Sequence, residues 1–370
     1  MNKRLILISP GPKMSIDNAI YEGLSKEFSG DVITSSMEDN VIATKSVANF
    51  KFNCIKYYHN KLLSYFSFLG FCLIFAIKAR LLRNKYDLVV TYDPIKSGIA
   101  GVLISRILNI KFAPEVNGVY TSPAEYIDGN TGVITKLKKL VVPLVIRFVL
   151  KRADGIKLLF DSQIDPFQNV LNNKVIARFP CYVAIDKFEN LKEENEILFV
   201  GFPFKRKGVD ILIAAFKKIA SRYPDWKLKI LGWFPDHLEL DSAIDKHPQI
   251  YHHKPVYYNE MPKHIGSCAV VVLPSRSEAM GRVLVEAMAA GKPRIGSNVD
   301  GIPTVINDGV DGLLVEPQNV DDLAEKLEML ICNSELRKTL GENGKRRALN
   351  EFSSETYYKN LFNFYNKLIS

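Results

Sequence analysis

Cysteine is scarce and unpatterned in this chain of 370 residues: Cys54, Cys72, Cys181, Cys268 and Cys332 are odd in number, scattered, and form no Cys-x-x-Cys pair. That excludes a disulfide-stapled scaffold and a thiolate zinc site, and points to a reducing compartment. His252, His253 and His264 lack a metal-type spacing, which leaves them as surface or turn residues. Internal repeats and low-complexity tracts are absent, so solenoids and disordered arrays are excluded. Lys3 and Arg4 precede only Leu5–Ile8, too short for the apolar core of a signal peptide, so this run reads as a first strand and no export is expected. The sixteen residues Leu62–Ile77, with Ser64 and Ser67 as their polar members, fall short of the roughly twenty apolar residues that cross a bilayer. They read as a buried helix, with an interfacial helix flanked by Lys78, Arg80 and Arg83 as the alternative.

What is present describes a globular protein of two domains. The chain is 47% hydrophobic and 24% charged, and it is long for one domain. Its net charge of +9 is uneven: residues 1–190 hold 25 Lys and Arg against 16 Asp and Glu, and the remainder is neutral. A basic first half is either a solvated face or an attraction for an anionic partner such as a membrane surface, a lipid phosphate or an acidic glycan. A nucleic-acid binder would suit the charge, but no groove-reading or stacking motif accompanies it. Expected strands at Arg4–Ser9, Asp31–Ser35, Tyr86–Tyr92, Ile110–Val116, Gly155–Phe160 and Val175–Pro180 alternate with helical stretches, the pattern of a parallel sheet with ligands at its carboxyl ends. The charge-rich stretch Glu189–Glu196 reads as a linker. After it come a strand at Ile197–Gly201, an amphipathic helix at Val209–Ser221 and a strand at Lys227–Gly232.

Pro274–Pro293 is the stretch around which the second half is organised. An apolar strand, Cys268–Leu273, leads into a polar loop, and a helix follows that is apolar or Ala from Val283 to Ala290 except at Glu286. Such a helix is normally buried, and a carboxylate on it requires donors. Glu278, before the helix, lies beside unsatisfied amides that favour an anion or polar ligand. Two readings stand on pattern alone: Glu278 caps the helix and Glu286 pairs with a cation, or both belong to a ligand site. Lys205-Arg206-Lys207-Gly208 follows a strand and opens a helix. Three cations there oppose the helix dipole unless an anion sits among them, so the loop reads as a phosphate loop in preference to a solvated basic turn.

Ser275-x-x-Glu278, Gly281-Arg282-Val283 and Glu286-Ala-Met-Ala-x-Gly-x-Pro293 together resemble the Glu-x7-Glu signature of glycosyltransferase family 4, retaining sugar-nucleotide transferases of GT-B fold. The likeness runs strongly from about Gly201 to Glu316, including Asp300-Gly-Ile-Pro303 and Asn307–Glu316, and diffusely before that. It implies two Rossmann-like parallel-sheet domains facing across a cleft: 1–190 for the acceptor, 191–352 for the nucleotide sugar, and 353–370 as a helix crossing back to the first.

By the same resemblance Glu286 is the ribose ligand and Glu278 the acid beside the donor sugar, with Lys207 and Arg206 neutralising the departing diphosphate. Gly201, Lys205, Ala279, Met280, Gly281, Arg282 and Val256 complete the donor side. Gly11 and Pro12, in a loop after the first strand, and Asn117 and Gly118 belong to the acceptor side. Asn117 stands where many family members have His, and it cannot carry a proton at neutral pH. Phe202, Arg294 and Thr304 also depart from the family pattern. The chain has no Asp-x-Asp, the motif with which the other large glycosyltransferase fold holds a divalent ion, so neither cofactor nor metal is expected. The implied activity is hexosyl transfer from a UDP- or GDP-sugar to a glycan or lipid-linked glycan in cell-envelope polysaccharide synthesis, in the cytoplasm; the charge of the basic half adds peripheral membrane contact as an expectation. A sugar-nucleotide epimerase of the same architecture and a non-catalytic partner subunit are the alternatives.

Overall fold

The structure is a computed structural model that describes residues 3–12, 18–36, 46–128, 132–234 and 238–370. The chain forms two compact units: Met1–Gly118, Lys136–Phe179 and Tyr357–Ser370 make the first, and Val119–Thr135 with Pro180–Thr356 the second.

In chain order the first unit contains β1 (Lys3–Pro12), α1 (Asn18–Leu24), β2 (Phe28–Ser36), β3 (Ser46–Val47), β4 (Phe50–Lys56), α2 (Lys61–Leu81), β5 (Leu88–Thr91), α3 (Lys96–Leu108), β6 (Lys111–Val116), α4 (Val133–Arg152, its first turn reaching back into the second unit), β7 (Gly155–Leu158) and β8 (Val175–Arg178). Among the described residues these strands form one sheet in the order β3-β4-β2-β1-β5-β6-β7-β8, parallel except for β3 against β4. Leu5–Ile8 and Leu88–Val90 are fully buried, as central parallel strands covered on both faces require.

The crossovers β4 to β5, β5 to β6 and β6 to β7 run one way across this sheet, and β1 to β2 runs the other. With right-handed connections, α2, α3 and α4 lie on one face and α1 on the opposite one. Accordingly α2 packs on α3, and a Cβ on Gly98 of α3 would meet Val149 of α4 at 2.9 Å.

The run Leu62–Ile77, read as a buried helix, makes up most of α2, and the structure corrects that reading. Phe68, Cys72, Ala76 and Ala79 face inward, while Leu62, Phe66, Ile74 and Ile77 are exposed. The helix carries two apolar stripes, and hydropathy alone does not say how many of them the fold covers.

The second unit contains β9 (Glu196–Val200), α5 (Val209–Ile219), β10 (Lys227–Leu231), α6 (Leu238–Ile244), β11 (Ile250–His253), α7 (Met261–Ser267), β12 (Val270–Leu273), α8 (Arg282–Ala289), β13 (Arg294–Ser297), α9 (Ile302–Val305), β14 (Leu313–Val315), α10 (Val320–Cys332) and α11 (Ser334–Glu351). Its sheet is parallel throughout, in the order β11-β10-β9-β12-β13-β14. The last helix, α12 (Ser354–Ile369), groups with the first unit from Tyr357 onward. There the Tyr358 hydroxyl donates to the Ala19 carbonyl of α1 at 2.9 Å, and Phe28 meets the Tyr365 ring edge-on.

In the second sheet the chain steps from β9 outward to β10 and β11, then returns to the other side of β9 with β12. The carboxyl ends of β9 and β12 are therefore the topological switch point, where α/β sheets take ligands. The loops that follow these two strands are residues 201–208 and 274–281, which hold most of the singled-out residues.

Arg294, an unusual residue for an apolar strand, is fully buried in β13. Its guanidinium donates to the Asp311 carboxylate at 2.6 Å, and Arg347 reaches the same carboxylate at 3.0 Å. Gly344 leaves the room for it, since a Cβ there would stand 2.6 Å from the guanidinium.

Candidate nucleotide-sugar site

The two switch-point loops are fastened into one assembly. Gly208 caps α5 with φ +71°, and a Cβ on it would lie 1.9 Å from the Pro274 carbonyl, so only glycine lets the loops approach this closely. The Arg276 amide donates to the Arg206 carbonyl at 2.8 Å. The Arg276 guanidinium grips Asp210 with two bonds of 2.8 Å and also donates to the Lys205 carbonyl.

Within that assembly the Lys207 ammonium donates to the Glu278 carboxylate. The other Glu278 oxygen accepts the Ala279 amide at 3.1 Å. Glu278 therefore does not cap α8, whose N-cap is Gly281 at φ +73°. Asp300 holds this acid from behind: its carboxylate accepts the Glu278 amide at 3.1 Å and the Ser277 hydroxyl at 2.5 Å, and the Gly301 amide donates to the Glu278 carbonyl.

The basic loop already holds an anion, supplied by the chain itself. The Asp128 carboxylate accepts the successive amides of Lys205 at 2.7 Å and Arg206 at 2.8 Å, and the Arg206 side chain pairs with Glu125 at 2.8 Å. Two consecutive amides converging on one carboxylate make an anion nest. Neither Glu125 nor Asp128 stands out in the sequence, because the contact joins segments almost eighty residues apart and uses backbone donors.

Glu286 is 5% exposed on α8. Its Oε1 accepts the Tyr258 hydroxyl at 3.1 Å and lies 3.8 Å from the Arg282 guanidinium. Burial raises its carboxyl above the ordinary value, with Arg282 and Tyr258 opposing the rise. Burial and the neighbouring Glu286 charge push the Tyr258 phenol up in turn. Tyr258 was not singled out in the sequence, although it lies two residues beyond Val256, which the resemblance places on the donor side.

Gly201 opens the loop after β9, beside Lys207, Met280 and Gly281 are buried in the second loop, Ala279 is half-buried beside them, and Val256 is half-buried in the loop after β11. Phe202 and Trp233, both exposed, meet with ring centroids 5.2 Å apart after β9 and β10. Thr304, in α9, turns its hydroxyl back to the Gly301 carbonyl at 2.7 Å.

The acceptor-side residues belong to the first unit. Gly11 and Pro12 end β1; Lys13, Met14 and Ser15 of the same loop lie outside the described residues. Asn117 follows β6. Its amide nitrogen donates to the Tyr92 carbonyl at 3.0 Å and to Glu115 at 3.2 Å, and its oxygen accepts from Lys157 at 3.1 Å. Lys157 and Glu115 form a buried ion pair at 3.4 Å, so a cation stands beside the neutral amide. The Gly118 carbonyl accepts from Gln163.

Comparison with known proteins agrees with this architecture. The chain resembles sucrose-phosphate synthase from Thermosynechococcus elongatus with a TM-score of 0.81 at 20% identity over 99% of both chains. It resembles Anabaena HepE, solved in complex with UDP and glucose, with a TM-score of 0.75 at 14% identity over 98% of this chain and 99% of that one. Two parallel-sheet α/β units with these structural neighbours define a GT-B protein.

The sequence profile of the glycosyl transferases group 1 matches residues 184–347. An uncharacterized glycosyltransferase of Methanocaldococcus jannaschii is 34% identical over 305 residues, 76% of this chain and 75% of the relative. The chain belongs to the glycosyl transferases group 1 family. A capsular polysaccharide biosynthesis glycosyltransferase, CapM of Staphylococcus aureus, is 35% identical over 199 residues, 50% of this chain and 49% of the relative. The match to CapM, like that to another M. jannaschii glycosyltransferase, spans about half the length of the relative.

Proposed function

We propose that this protein is a retaining family 4 glycosyltransferase that moves a hexose from a UDP- or GDP-sugar to a glycan or lipid-linked glycan, on the cytoplasmic side, in cell-envelope polysaccharide synthesis. The observation that carries this reading is Asp128 on the amides of Lys205 and Arg206. A loop that leaves a parallel strand at the switch point, opens a helix and binds a carboxylate through consecutive amides is built for an anion. With Arg206 and Lys207 beside those amides, the fitting anion is a diphosphate. The names of CapM and of HepE with UDP and glucose support the choice of reaction class and donor.

In this proposal Glu286 accepts the ribose hydroxyls through Oε2, its contacts with Tyr258 and Arg282 both falling on Oε1. Glu278 faces the sugar. The bond from the anomeric carbon to the diphosphate breaks, the acceptor oxygen bonds to that carbon on the same face, and the acceptor proton passes to the departing diphosphate. Lys207, Arg206 and the loop amides stabilise the developing charge, the part of such a reaction in which fixed donors contribute most. No metal is assigned a role. The first unit takes the acceptor, with Asn117 positioning it and exchanging no proton.

The test is incubation with labelled UDP- and GDP-sugars and a lipid extract containing lipid-linked glycans, followed by NMR of the product. Acceptor-dependent transfer with the donor's anomeric configuration supports the proposal. Conversion of the donor without acceptor would identify an epimerase. No turnover of any donor by the folded protein would identify a non-catalytic subunit.

A further inference from the structure

The layer formed by α2, α3 and α4 on one face of the first sheet holds Lys and Arg at three positions in α2, two in α3 and six in α4, and not one Asp or Glu. The same layer exposes large apolar side chains at helical spacing. Leu62, Phe66, Ile74 and Ile77 form one stripe along α2, and Leu140 and Leu144 belong to another along α4; Leu62, Phe66, Leu140 and Leu144 are 60–71% exposed. An apolar stripe flanked only by cations is the pattern of an element that lies in a lipid–water interface, with its long basic side chains reaching the headgroups.

We infer that this three-helix face docks the protein on a bilayer containing anionic phospholipid. It deepens the lipid-linked reading of the acceptor proposed above, but it rests on the first unit's own residues and on no donor chemistry. Helix α2 is long and apolar enough to cross a membrane by length and composition. It does not cross one, because β4 before it and β5 after it are strands of the same sheet and cannot stand on opposite sides of a bilayer. A second copy does not fit the face either: a two-fold interface sets a patch against itself, here cations against cations. An anionic lipid surface complements both the charge and the apolar stripes.

The test is co-sedimentation of the full chain with vesicles of phosphatidylcholine alone and with 30 mol% phosphatidylglycerol, at low and high salt. Binding is expected only with the anionic lipid, weakened by salt. Replacing Lys136 and Lys138 together by Gln lowers the partition coefficient by on the order of thirtyfold, about fivefold per cation near the surface. The Phe66→Ser, Leu140→Ser, Leu144→Ser triple variant falls to the phosphatidylcholine background. These side chains are already in water, so both variants keep the parent's thermal transition. Absence of binding to anionic vesicles at low salt would overturn the inference, as would binding that neither variant weakens. Retention only by an acidic protein, with vesicles ignored, would reassign the face to that partner. A nucleotide titration of the same variants is independent of these outcomes, so failure here and failure of the donor site are distinguishable.

Discussion

Replacing Glu286 by Gln separates what this carboxylate costs the fold from what it contributes to a ligand. Glu286 is buried, and burial raises its carboxyl above the ordinary 4.5. A carboxyl whose folded value is raised stabilises the fold fully below about pH 4.5, and that contribution is lost as pH rises through the folded value. Above the ordinary carboxylate range the buried site therefore disfavours the charged form, and Gln, of the same shape and still able to accept from Tyr258, removes that cost. Glu286→Gln is expected to melt no lower than the parent at pH 7, with any advantage shrinking as pH falls toward 4.5. Binding moves the other way. Each ribose hydroxyl bonded to a charged acceptor contributes about 1.5–3 kcal/mol, so the variant loses roughly ten- to a hundredfold in affinity for the nucleoside diphosphate. Differential scanning calorimetry from pH 4.5 to 8 and isothermal titration measure the two effects. A variant that is less stable at pH 7 and binds nucleotide unchanged would make Glu286 a structural partner of Arg282 and refute the reasoning.

Three further outcomes follow from the same geometry. Lys207→Ala should weaken a nucleoside diphosphate more than the free nucleoside, read by titration, because the proposed site sets this cation against the phosphates and its loss also leaves Glu278 without its partner. Asp128→Asn should raise nucleoside diphosphate affinity severalfold in the same assay, since the native carboxylate occupies the Lys205 and Arg206 amides; weaker binding would mean that Asp128 organises the loop. Asp311→Ala strands the fully buried Arg294, a loss of about 3–5 kcal/mol. Calorimetry should then show the melting temperature falling by roughly 6–20 °C for a unit of this size.

The second half of the chain was the more legible, for physical reasons. Its strands are short apolar runs bounded by Gly and Pro, and the helix expected from Val209 is amphipathic, with Val209, Leu212, Ala215, Phe216 and Ile219 buried on one face. Arg294 was readable as an anomaly, but its partner Asp311 was not, because the pairing is tertiary. β4 was missed although Phe50-Lys-Phe-Asn-Cys-Ile-Lys56 alternates in part, since it is half-buried next to a short edge strand. The exposed stripe of α2 was read as core because composition says how apolar a helix is and not which faces the fold covers. Of the candidate site, the acids and the basic loop stood out by residue type and spacing, while their expected roles came from the family resemblance. Asp128, Glu125 and Tyr258 did not stand out, and Asp300 did so only as part of a matching block, because each acts through contacts that only the folded chain brings together.

The central claim is that the loops after β9 and β12 hold a nucleoside diphosphate. Its most direct test is the thermal shift of the full chain with UDP, GDP and ADP, beside the Glu286→Ala variant. A ligand at a hundred times its dissociation constant adds about 2.7 kcal/mol, a shift of several degrees for units of this size. The account predicts a shift with UDP or GDP that the variant loses. No shift with any of the three nucleotides at millimolar concentration would contradict it.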